Sequence, residues 1–189
     1  MDKAIEQIFQ AFNHIARELQ VYFISGFLII LNVLLIDHFY YNSSLWQLFI
    51  DKKVILSMII VAYFFGHICM AFYYVVLEMP KFDKKLCKFF GISYKTETVL
   101  LPKIYEKDKD TYRHFVERYI ILFMMRWTMS AALFIGFLAN TTYIIFVKYK
   151  SQFFIITILF FFASISLFIL ASKTESDCSN RIKSMQDDL

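Results

Sequence analysis

Hydrophobic positions in this chain come in long blocks, and charged positions are pushed to the block edges. The blocks cover 19–36, between Glu18 and Asp37; 54–77, between Lys53 and Glu78; 119–147, between Arg118 and Lys148; and 151–172, between Lys150 and Lys173. A single charge, Arg126, interrupts the third. A hydrocarbon core of ~30 Å takes about 20 helical residues at ~1.5 Å each, and each block is close to that length or beyond it. Stretches such as 28–36 and 158–170 do not alternate polar with apolar residues, so they do not read as strands of an outer-membrane barrel. The pattern predicts an all-α, polytopic integral membrane protein. It has one domain of four transmembrane helices, at 19–37, 54–77, 119–140 and 151–172. A loop spans 78–118 and a tail 173–189.

The first residues carry a different period. Ile5, Ile8, Phe9, Phe12, Ile15, Ala16 and Leu19 recur at three- and four-residue steps, which predicts an N-terminal amphipathic helix. Two placements compete: in the plane of the inner leaflet, or packed on a partner or on the same helix of another protomer. The start lacks a basic n-region followed by a short apolar core, so no cleavable leader is expected. Pro80 is expected to end the second helix. Phe82, Leu86, Phe89 and Phe90 make a short apolar face that Gly91 breaks. The pattern resumes at Ile104, Tyr112, Phe115 and Val116, which predicts that the third helix begins before its apolar block. The polar tail reads as a frayed end, or as a peptide that docks a partner.

Composition sharpens this picture. The chain has 189 residues, 59% of them hydrophobic, against ~45–50% in soluble domains. With only 4 Gly and 2 Pro, it is poor in the turn residues that shape soluble active sites. The 20 Lys and Arg are unevenly placed. Lys52, Lys53, Lys148 and Lys150 flank the second and fourth blocks on one side. All the others, apart from Arg126, lie before the first block, in the 78–118 loop or in the tail. The positive-inside rule then puts both termini and the loop in the cytoplasm, in a multi-pass protein of the bacterial inner membrane. Tyr40, Tyr41 and Trp46 suit an interfacial aromatic belt. Cys87 and Cys178 fall on the cytoplasmic side and Cys69 inside a helix, so no disulfide is expected.

Candidate chemistry is confined to a few positions. Asn32, His67, Arg126 and Ser164 come one from each block and fall at broadly similar depth. Polar groups within a span are functional candidates by default. One reading is a set of interhelical hydrogen bonds with Arg126 snorkelling to the headgroups. Another is a polar core that changes state, with His67 as its titrating group. With no Asp or Glu expected inside a span, a proton relay has no acidic member. Lys81, Lys84, Lys85 and Lys88 are candidates for docking a partner or anionic lipid. Acidic residues alternate with basic ones in the loop, as in 106–110, so direct nucleic-acid binding is not expected. Ala132 and Gly136 form a small-xxx-small pair that favours close helix approach and an oligomer. No catalytic set, phosphate loop or zinc spacing can be assembled. The chain reads as non-enzymatic and without cofactor or metal.

In its size, four spans and charged loop between the second and third spans, the chain resembles the membrane subunit of the two-component Kiwa anti-phage system. That resemblance implies a membrane-embedded homo-oligomer that senses phage attack and recruits a cytosolic effector protein through its inner face. In span number and composition it also resembles immunity proteins against pore-forming bacteriocins, which recognise a toxin's hydrophobic hairpin within the bilayer. A small pore-forming effector is a third class. Against it, pore linings are normally more polar than these faces.

Overall fold

The structure is a computed structural model and describes residues 2–41, 45–48, 52–78, 85, 88–91 and 117–187; for 2–18, 46, 48, 52–53, 77–78, 117 and 181–187 it describes the backbone alone. Among the described residues every regular element is helical. Helix α1 is Asp2–Ile36, continued by a π-helical segment over Asp37–Tyr41. A single turn, α2, is Leu45–Leu48. Helix α3 is Lys52–Tyr73 and ends in a π-helical segment over Tyr74–Glu78. Helices α4, Glu117–Phe146, and α5, Ser151–Asp187, complete the chain. Four helices contain segments long and apolar enough to cross a membrane: Leu19–Tyr41, Val54–Val76, Arg118–Phe146 and Ser151–Asn180.

Helix α1 runs unbroken through Glu18 and Leu19, so the N-terminal segment and the first apolar block are one helix of 35 residues. At the helical rise this is roughly 50 Å, longer than a ~30 Å hydrocarbon core. Helix α5 has 37 residues and differs from the expected frayed tail, because the helix continues to Asp187. The reason is packing. Ala171, Thr174 and Cys178 recur at helical spacing and all three are buried, so the inward face outlasts the apolar block. The third helix extends to Phe146, beyond the expected end at 140. Thr141 and Thr142 return their hydroxyls to Phe137 O and Leu138 O at 2.8 and 2.9 Å. Polar residues there cost the helix no unpaired hydroxyl.

The helices run alternately up and down. α3 lies antiparallel to α1, with Gly26 against Ala62 and Gly66 against Tyr22. α4 is parallel to α1: Thr128 donates to Val21 O at 3.2 Å near one end, and Tyr40 donates to Lys148 O at 2.8 Å at the other. α5 returns antiparallel to α4. The start of α1, the Glu78 end of the π-helical segment after α3, the Glu117 end of α4 and the C-terminal part of α5 therefore share one end. α2 and the α4–α5 turn share the other.

Helix α4 is the centre, and the other three long helices pack around it. Its inward faces carry Thr128, Ser130, Ala131, Ala132 and Gly136, all buried. Small side chains allow close helix approach where lipid tails remove any hydrophobic drive for association. The largest buried residue of α4, Trp127, joins three helices: its ring lies 4.6 Å from that of Tyr73 on α3 and 4.7 Å from that of Phe168 on α5. The outward faces of α3 and α5 expose Leu56, Ile60, Phe64, Ile155, Leu159 and Phe162, the distribution expected of lipid-facing helices.

Candidate functional site

The four polar positions singled out from the sequence are placed in four different settings. Ser164 lies buried against Ser130. Each hydroxyl donates to the other residue's carbonyl at 2.9 Å, and the two oxygens are 3.4 Å apart. This reciprocal clasp satisfies both side chains and ties α4 to α5. Arg126 is half-buried and donates to Thr174 Oγ1. Thr174 in turn donates to Leu170 O at 2.7 Å. The guanidinium is thus held by the C-terminal part of α5.

Asn32 is buried on α1, facing Gly136 of α4: a Cβ at Gly136 would lie 3.3 Å from Asn32 Cγ. Among the described residues its Oδ1 has no hydrogen-bond partner. His67 points away from the other three. It is exposed on α3, stacked on Tyr22 at 4.0 Å and edge-on to Tyr63 at 4.6 Å. Arg126 and Ser164 lie near one another along α4, Asn32 lies roughly 15 Å from the level of Arg126 and roughly 9 Å from that of Ser164 by helical rise, and His67 is exposed on α3. The four do not form one cluster.

Of the basic loop positions, Lys85 and Lys88 are exposed. Lys81 and Lys84 lie outside the described residues. Gly91 has φ +69°, a backbone conformation open to glycine at little cost, and closes a turn in which its N–H bonds Lys88 O at 3.2 Å. Among the described residues no group of His, Cys, Asp and Glu is arranged to hold a metal.

Several structural residues had weak or unread signals. Gly26 and Gly66 bring the backbones of α1 and α3 into contact. A Cβ on Gly26 would run into the Ala62 carbonyl and come within 2.8 Å of Gly66 N, and one on Gly66 would meet the backbone of Tyr22. Ala62-x-x-x-Gly66 is a small-xxx-small pair of the same kind as Ala132-x-x-x-Gly136, so spacing alone contained this contact. The Ala132–Gly136 pair is used within the chain. Ala132 is buried in the α3–α4–α5 core, and Gly136 faces Phe160 and Asn32, its Cβ position 2.9 Å from Phe160 Cδ2. The close helix approach expected of this pair is made within the chain.

Asp37 also departs from expectation. It is buried and falls inside the apolar segment Leu19–Tyr41, because the helical backbone continues past it. The first span therefore holds a carboxylate where none was expected. Asn140 is fully buried on α4 with neither amide atom hydrogen-bonded among the described residues. At the same end Tyr40 and Tyr143 pack at 5.4 Å, Tyr40 meets Phe153 edge-on at 5.0 Å, and Lys150 donates to Phe39 O.

Two open clefts flank α4. One, of ≈ 530 Å³, lies between α1 and α4 and is lined by Gln20, Arg118, Tyr119, Ile121, Leu122 and Met125. The other, of ≈ 330 Å³, lies between α3 and α5 with Ser130 and Ser164 on its floor; Phe72, Phe134, Phe161 and Phe168 line it and Phe90 borders it. Both are overwhelmingly apolar. No family model, curated protein or solved structure matches the chain.

Proposed function

We propose that this is a non-enzymatic, four-span protein of the bacterial inner membrane. Its termini and 79–116 segment face the cytoplasm, and it oligomerises and anchors a cytosolic effector in anti-phage defence, as the likeness to the Kiwa membrane subunit implies. The observation that carries the reading is the one-sidedness of the fold. Residues 2–18, the helix ends at Glu78 and Glu117 and the polar part of α5 share one end, and the sequence between Glu78 and Glu117 is the longest connection in the chain. Lys-rich segments belong on the cytoplasmic side, and a protein with its extramembrane mass on that side acts on cytosolic partners. Within the apolar helices, Ser130, Ser164, Arg126 and Thr174 bond to one another, an arrangement suited to assembly and not to a conducting path. The test is a mild-detergent pull-down of the tagged chain from its native operon context, with native mass measurement of the eluate. The expected result is a multi-copy membrane core with a stoichiometric cytosolic partner. A lone monomer would overturn the proposal.

One observation favours a second reading. The ≈ 330 Å³ cleft between α3 and α5 is lined with phenylalanines. Such a face suits a foreign hydrophobic hairpin, as in bacteriocin immunity. Toxin challenge separates the two readings: protection by this chain alone, without any cytosolic protein, would select immunity.

A further inference from the structure

The cleft between α3 and α5 is closed by three helices and by one residue outside them. Phe72 and Val76 of α3 and Phe161 and Phe168 of α5 line it over a floor of Ser130 and Ser164. The floor asks for no polar ligand, because each serine hydroxyl already donates to the other residue's carbonyl at 2.9 Å. All six residues belong to the segments Val54–Val76, Arg118–Phe146 and Ser151–Asn180, which are long and apolar enough to cross a membrane. In a bilayer the cleft therefore lies at the depth of the lipid chains. Its volume of ≈ 330 Å³ is at the lower end of the ~300–1,000 Å³ range of small-molecule sites. A helix, ~10–12 Å across, can lie over such a cleft but not within it. A single hydrocarbon chain fits, and it supplies the dispersion contacts that the phenylalanine rings would otherwise forfeit. The residue from outside the helices is Phe90, in the segment that joins α3 to α4. It differs from its neighbour. Phe89 is 82% exposed and Phe90 38%, with the two rings edge to face at 5.3 Å. In the turn closed by Gly91 N–H on Lys88 O, Phe90 lines the cleft and Phe89 does not.

We propose that this cleft binds one acyl chain of a bilayer lipid, and that Phe90 competes with the chain for it. The lipid headgroup plays no part, and the chain alone is recognised. Phe90 borders the space the chain fills, so occupancy from the bilayer and the position of the Lys88–Gly91 turn are linked. The linkage is reciprocal. A chain in the cleft displaces the turn and its exposed Lys88, and a partner that draws the turn away opens the cleft to lipid. The proposal rests on the membrane-spanning reading of the chain. To the anchoring role it adds a route from the bilayer to the basic turn, and the site itself needs no cytosolic partner.

The test uses the full chain in phosphatidylcholine nanodiscs, with a trace of phosphatidylcholine carrying a photoactivated diazirine on one acyl chain. Cross-linked residues are mapped by peptide mass spectrometry, and hydrogen exchange of the Lys88–Gly91 turn is followed in parallel. Adducts are expected on Phe134 and Phe161 in the cleft as well as on the exposed Leu159 and Phe162. Adducts on the exposed pair alone would overturn the site. Phe90→Ser should raise the cleft adducts relative to Phe162 at least about threefold and speed exchange of the turn at least about tenfold. Phe89→Ser should change neither, and equal effects of the two variants would remove Phe90 as the competitor. Ile165→Trp and Val76→Phe fill the cleft from α5 and from α3, so a folding defect in one is checked by the other. Each should abolish the cleft adducts, keep those on Leu159 and Phe162, and speed exchange of the turn. Loss of cleft adducts without faster exchange would break the linkage. If the cleft takes no acyl adduct but cross-links to an added hydrophobic helical peptide, the occupant is a protein and the proposal fails. Cleft adducts as expected with a lone monomer in the pull-down would sink the anchoring role and leave this site standing, and the reverse result would do the opposite.

Discussion

The two helical hairpins of this protein are held together by opposite means. Between α1 and α3 the closest contact is backbone on backbone, Gly26 on the Ala62 carbonyl and Gly66 on Tyr22, with the Tyr22 ring against Tyr63 and His67 beside it. Ser25 turns its hydroxyl back to Val21 O and Tyr22 O of its own helix, at 3.2 and 3.0 Å. Between α4 and α5 side chains make the joint: Ser130 with Ser164, Arg126 with Thr174, Trp127 with Phe168, and Phe137 with Phe161. Apolar surface gains little from burial when the alternative is lipid. A helix pair must therefore find its stability in close packing or in hydrogen bonds, and each hairpin uses mainly one. The difference sets what each can tolerate. A joint of touching backbones has no slack for volume, while a joint of side chains loses them one at a time.

The largest effect should come from adding volume to the glycine joint. Gly26→Leu cannot be absorbed by a rotamer change, because the obstacle is the Ala62 backbone. Overpacking typically costs ~1–3 kcal/mol and occasionally more, and this site belongs at the upper end. The expected outcome is loss of disulfide cross-linking between cysteines placed on facing positions of α1 and α3, with α4–α5 cross-linking retained. Loss of both together would show that the hairpins are not separable units. The next effect is in the core that couples them. Trp127→Ala removes the ring between Tyr73 and Phe168 and should cost ~3–5 kcal/mol, read as a fall in melting temperature in detergent. A fall no greater than that of an exposed-residue variant would remove Trp127 as the coupling residue.

The serine clasp should be far more forgiving. Ser130→Ala and Ser164→Ala should each cost ~0.6 kcal/mol, and interhelical hydrogen bonds of this kind reach at most ~1.7 kcal/mol. Because the two bonds are reciprocal, the double variant should lose less than the sum of the singles. Strict additivity would mean that the hydroxyls do not act as a pair. Smallest of all, His67→Phe keeps a ring between Tyr22 and Tyr63 on an outer face and should change stability by no more than about 0.5 kcal/mol. A large loss of oligomer or of protection in this variant would restore His67 to a working polar core.

The helices themselves were legible from the blocks of apolar residues, and their approximate limits followed from the flanking charges. What the blocks missed were the ends. Asp37 and Lys173 marked expected boundaries, yet the backbone continues as helix through both, because Asp37 is buried and Thr174 and Cys178 still face inward. Hydropathy reports where apolar residues stop and is blind to a helix whose inner face persists. The polar positions were legible as candidates and not as partners. Ser164 and Arg126 were identified, but Ser130 and Thr174, which complete their bonds, lie in runs where a hydroxyl is unremarkable by composition.

By itself the sequence determined the all-helical class and four helices long and apolar enough to cross a membrane, since an uncharged apolar run of that length satisfies its backbone groups within a helix. It also determined the number of candidate spans and the segregation of charge to one side. The tertiary structure alone decided that α4 is the centre, that the Ala132–Gly136 pair is spent within the chain, that the glycines of α1 and α3 meet, and that His67 faces outward. Those outcomes depend on the rotation and offset of each helix about its axis. Small residues permit several such rotations, and the one adopted is selected by contacts between residues as distant in the chain as Gly26 and Ala62, or Arg126 and Thr174.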